Sequence, residues 1–63
     1  MKFYIEHFEK LREGYGWVRI PGATATKLRD AEELKIAEAK ANREPLGNYS
    51  IMCEVDEDLR GRV

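Results

Sequence analysis

Sixty-three residues with 11 Lys and Arg against 12 Asp and Glu carry a net charge of −1, which lacks both the basic excess of a phosphate-gripping DNA protein and the acidic excess of a DNA mimic. A single His and a single Cys exclude an internal disulfide and a four-ligand structural zinc. No apolar run approaches the roughly 20 residues that span a bilayer, and Glu6 interrupts any signal-peptide core after Met1-Lys2, so a cytoplasmic single domain over residues 1–63 is expected.

The first segment, Phe3-Tyr4-Ile5-Glu6-His7-Phe8-Glu9-Lys10-Leu11, has two readings. As a helix it lines up Tyr4, Ile5, Phe8 and Leu11. As a strand it is rich in the Phe, Tyr and Ile that favour sheets. Sheet economy favours the strand, over about 2–11. A helix here would leave two strands, which are marginal in water, whereas three strands against a helix can stand alone. Arg12-Glu13-Gly14 then forms a turn, with Gly14 or Gly16 supplying a positive φ. A second strand follows over about 15–20, ending at Pro21-Gly22.

The helix is expected over about 30–43. Asp30-Ala31-Glu32-Glu33 has the form of a capping box, with an acceptor at the N-cap and glutamate at N3. A start at Thr24 or Thr26 is the alternative. Ala31, Leu34, Ala37 and Ala41 fall on one face, and Pro45 stops the helix. Leu28, Ile36 and Ala39 could form a small second apolar face. The last strand, about 48–56, alternates Tyr49, Ile51, Cys53 and Val55 with Ser50, Glu54 and Asp56, the period of a strand with one apolar face. Residues 57–63 are expected to fray.

The expected fold is α+β: a three-stranded antiparallel sheet with one helix packed on one face, in ββαβ order. The helix-facing core would draw on Phe3, Ile5, Val18, Ile20, Ile51, Cys53 and Val55. Cys53 reads as a small core residue, and His7 as a residue of the sheet surface. The carboxylates Glu54, Asp56, Glu57 and Asp58 have no glycine among them and do not resemble a calcium loop. Gly14-Tyr15-Gly16-Trp17 lacks the Gly-Lys-Ser/Thr of a phosphate loop. No catalytic residue, metal ligand or cofactor is expected.

If Val18 and Ile20 face the helix, Trp17 and Arg19 face the other way, and Tyr4, Phe8 and Met52 can join them. An aromatic sheet face with no cover marks an interaction site. The expected partner-binding residues are therefore Tyr4, Phe8, Tyr15, Trp17 and Arg19, with Glu54, Asp56 and Asp58 as rim charges that steer association.

The layout resembles that of small phage-encoded inhibitor proteins, the inhibitor of bacterial RNA polymerase and the smallest anti-CRISPR proteins. Lys2-Phe3-Tyr4-Ile5 would be the first strand and Trp17-Val18-Arg19-Ile20 the second. Asp30-Ala31-Glu32-Glu33-Leu34 would open the helix, and Tyr49 to Val55 would close the sheet. The resemblance implies a stoichiometric binder that blocks a larger protein or ribonucleoprotein machine and performs no chemistry of its own. Two alternatives stay open. One is a homodimeric DNA-binding regulator presenting Arg19, Lys27 and Arg29, although direct nucleic-acid binding is not expected from the charge. The other is an accessory subunit completed by its partner, since so short a chain has little core to spare.

Overall fold

The computed structural model describes residues 1–54. Its elements run β1 (Lys2–Leu11), β2 (Gly14–Ala25), α1 (Leu28–Ala41), a short 3-10 turn (Leu46–Asn48) and β3 (Tyr49–Glu54). The three strands form one antiparallel sheet in the order β2-β1-β3, with one helix against it. The fold is the α+β, ββαβ arrangement that the alternation patterns predict.

The hairpin forms where expected. Leu11 pairs with Gly14 across the Arg12-Glu13 turn, and Gly14 sits at φ 135, a backbone region that side chains disfavour. β2 does not stop at residue 20. It continues to Ala25 by breaking register: Glu6 pairs with Arg19, but Tyr4 pairs with Thr24. Gly22 at φ 80 makes that irregularity, and Pro21 is tolerated because β2 is an edge strand.

The helix begins earlier than the capping box suggests. Lys27 is the N-cap, in extended conformation and without a side-chain cap. Asp30 therefore lies in the first turn, where it complements the helix dipole instead of capping. At the other end Arg43 adopts φ 54, the Arg43 N–H donates to the Lys40 carbonyl at 3.2 Å, and the Glu44 N–H donates to the Ala39 carbonyl at 2.9 Å. That pair of bonds is a Schellman motif.

The packed face of α1 is also rotated from the expected stripe. Ala31 and Ala39 are buried, Leu34 is half-buried, and Ala37 and Ala41 are exposed. Ala39 thus belongs to the core face, while Leu28 and Ile36 stand in solvent. The end of the helix also serves the Tyr49 hydroxyl. Asn42 Nδ2 donates to the Tyr49 hydroxyl at 2.8 Å, and that hydroxyl reaches the Glu38 carbonyl at 3.5 Å. A buried tyrosine needs partners for its hydroxyl, and the Asn42 side chain at the C-cap and the Glu38 backbone carbonyl supply them.

The core is thin. Ile5, Ala23, Ala31, Ala39 and Tyr49 are buried, and Phe3, Ile20, Ala25, Leu34 and Ile51 pack around them. The helix starts just beyond the end of β2 and finishes just before the start of β3. It therefore crosses the sheet diagonally and leaves two corners open. Cys53 occupies one of them, opposite Phe3, and is exposed instead of buried in the core. Val18 stands at the other, half-buried. Val55 lies outside the described residues.

Two stability predictions follow from this packing. Ile5 is the one large side chain fully buried among the described residues. Ile5→Ala is expected to cost about 2–5 kcal/mol, most of the stability of so small a domain, and to abolish the cooperative circular-dichroism melt. Arg43→Gly relieves a left-handed backbone conformation and should raise stability by about 1 kcal/mol, read as a higher urea midpoint at unchanged slope.

Candidate functional site

Strand alternation and register assign the uncovered face. From β1 come Tyr4, Glu6, Phe8 and Lys10. Opposite them stand Arg19, Trp17 and Tyr15 of β2, and Met52 and Ser50 of β3. Phe8 pairs directly with Trp17, their ring centroids 5.2 Å apart and tilted by 58°. It also stacks with Tyr15 at 5.6 Å and 11°. Such aromatic pairs contribute about 0.5–1.5 kcal/mol beyond area burial, so Phe8 holds Tyr15 and Trp17 to it as a preformed patch. They nevertheless remain open to solvent: Phe8 is 39% exposed, Trp17 45% and Tyr15 68%.

The other end of the face is polar-aromatic. The Arg19 guanidinium lies 4.1 Å above the centre of the Tyr4 ring, a cation–π contact of about 0.5–1 kcal/mol at an exposed site. Its Nη2 reaches Glu54 Oε2 at 3.4 Å, across the width of the sheet, and Glu6 is its direct cross-strand neighbour. Arg19 is thus fixed by its own fold, and Glu54 acts as its counter-ion. The structure brings Tyr4, Phe8, Tyr15, Trp17, Arg19 and Glu54 onto one surface. Asp56 and Asp58 lie outside the described residues.

A second site lies on the helix side and was not foreseen. His7 is not a sheet-surface residue: it is half-buried, its ring 4.8 Å from that of Tyr49. Nδ1 donates to Glu9 at 2.9 Å and Nε2 donates to Glu44 at 2.8 Å. A neutral imidazole has one N–H, so both contacts together require the imidazolium. Glu44 also accepts from Asn48 Nδ2 at 2.9 Å. The Schellman turn is what carries Glu44 back to the sheet. Beside this cluster opens a cleft of about 310 Å³, lined by His7, Glu9, Val18, Pro21, Glu38 and Asn42. It occupies the corner that the diagonal helix leaves uncovered. The sequence signal for this cluster was a lone histidine two residues from a glutamate. Glu44 is 37 residues away, and only the fold joins them.

The carboxylates raise the His7 pKa, Glu44 first and Glu9 second through their hydrogen bonds. The His7 bond, followed by that of Asn48, lowers the Glu44 pKa. No group of three or more metal-ligating side chains gathers among the described residues, and no described helix is long and apolar enough to cross a membrane.

The pH dependence follows from linkage. Stability from a raised histidine is fully present below its ordinary value of about 6.5 and is lost as pH rises through the higher folded value. Stability from a lowered glutamate is present above about 4.3 and is lost as pH falls through the lower folded value. Urea midpoints are therefore expected to fall as pH rises above about 6.5. His7→Gln should flatten that slope, and an unchanged slope in the variant would remove His7 as its source.

Comparison with known proteins finds no matching family model, no matching curated relative and no matching solved structure.

Proposed function

We propose that this protein is a non-enzymatic binding module that acts by stoichiometric occupation of a surface on a larger protein or ribonucleoprotein machine. The observation that carries this reading is the Phe8–Tyr15–Trp17 patch: Phe8 stacked on Tyr15 and tilted against Trp17, all three solvent-exposed, on a sheet face that no described helix covers. Trp, Tyr and Arg dominate interface energetics, and rings already packed together lose little side-chain freedom on docking. The inhibitor form of the reading, and its phage setting, come from the resemblance in element order and extend the same proposal.

Two observations favour binding over chemistry. His7 is committed to two carboxylates, which leaves it no free nitrogen to act as a base. Cys53 sits at the opposite corner of the sheet, paired with Phe3, and so cannot form a nucleophile–base pair with it. The DNA-binding alternative loses support because Arg19, the arginine on the uncovered face, is held by Tyr4 and Glu54 and not turned toward a phosphate.

Trp17→Ala tests the proposal. Truncation of an interface hot spot costs at least about 2 kcal/mol, roughly thirtyfold in affinity. Tagged wild-type protein should retain a host protein or ribonucleoprotein that the Trp17→Ala protein loses, with the circular-dichroism melt of the variant kept. A variant that loses its melt places Trp17 among the residues that hold the fold, and the docking reading then fails.

A further inference from the structure

The two edges of the sheet are built differently. The β2 edge carries Pro21, the positive-φ Gly22 and the break in register between Arg19 and Thr24. Proline and irregular backbone are the features that keep an edge strand from pairing with another chain. β3 has neither. Its six residues, Tyr49–Glu54, pair with β1 in unbroken register from His7↔Tyr49 to Lys2↔Glu54. The strand contains no proline and no lysine, its centre from Ser50 to Cys53 is uncharged, and Met52 and Cys53 are exposed. Among the described residues, nothing pairs with its outer side.

We propose that β3 is a homodimerisation edge, at which the β3 strands of two copies pair antiparallel about a twofold axis at Met52. The axis runs normal to the sheet. Met52 then lies opposite its own copy, Ile51 opposite Cys53, and Ser50 opposite Glu54. The strand's one charge meets a hydroxyl, and no like charges face each other. Opposed residues share a face in antiparallel pairing, so both helices lie on one side and both aromatic faces on the other. The result is a continuous six-stranded sheet. A second copy also satisfies the open backbone groups of the β3 edge, which adds stability that a chain of this size has little of in reserve. The pairing rests on the backbone of the β3 edge and stands apart from the docking reading of the face.

The test uses the intact chain and its single cysteine. In sedimentation equilibrium the mass should rise well above that of one chain by about 1 mM, where even a millimolar dimer pairs about half of the chains. A nitroxide on Cys53 should show dipolar broadening, because this register sets the two Cys53 Cα atoms about 8 Å apart. Diluting labelled with unlabelled protein should remove the broadening. Met52→Lys places two ammonium groups opposite each other at the axis and should weaken the dimer at least tenfold. Thr24→Lys, on the other edge, should leave it intact. A one-chain mass at about 1 mM overturns the proposal. So does a dimer without broadening, or one that a folded Met52→Lys protein still forms. A mass that rises only when a different protein is added assigns the edge to a foreign strand and also overturns it.

Discussion

One helix must cover three strands, and it does so on a diagonal. That constraint organises the rest of the molecule. The chain leaves β2 at Ala25 and must enter β3 at Tyr49, on the opposite side of β1. A helix joining those points cannot lie along any single strand. It packs over Ile5 of the central strand, the most completely buried large side chain described. Alanines at 31 and 39 let it sit close, at the expense of apolar area, since an alanine buries little. The corners it misses become the exposed Cys53 and the cleft beside Val18.

Polar contacts make up part of what a thin core cannot supply. Tyr49 sits buried at the end of the helix with its hydroxyl paired to Asn42, and its ring against His7. His7 in turn ties β1 to Glu44, which the left-handed turn at Arg43 folds back from the helix end. The left-handed turn at Arg43 aims Glu44, Glu44 favours the charged form of His7, and the His7 ring sits beside the tyrosine whose hydroxyl Asn42 bonds. Secondary structure, packing and electrostatics therefore meet at a single joint between helix and sheet.

The opposite face needs no such joint, because no described element covers it. Its aromatic end is organised by side chains that contact one another within the hairpin, and its polar end by Arg19 lying on Tyr4 and reaching Glu54. A surface held in place before any partner arrives loses less entropy on binding than a mobile one. The two ends also differ chemically, one apolar and stacked, the other charged and internally neutralised. An incoming surface would thus find an orientation as well as an anchor.

Residue alternation determined the last strand and which aromatics share a face, and sheet economy chose the strand for residues 3–11 and with it the ββαβ order. Period-two alternation links each side chain to its neighbours through the backbone itself, as in Tyr49-Ser50-Ile51 and Trp17-Val18-Arg19, so those properties are local. The sequence misled where two local rules competed. The Asp30–Glu33 capping box gave way to Lys27 because β2 ran on past Pro21-Gly22 to Ala25 and the chain needed to turn sooner. The packed face of the helix was hidden because half-buried Glu38 interrupts its apolar pattern, and the partner of the Asn42 side chain, the Tyr49 hydroxyl, lies across the fold. Only the tertiary structure decided the diagonal of the helix, the corner that exposes Cys53 and the bonding of His7 to Glu44. Each of these joins residues far apart in the chain, and such contacts are set by how elements pack in space, not by the spacing of side chains along the backbone.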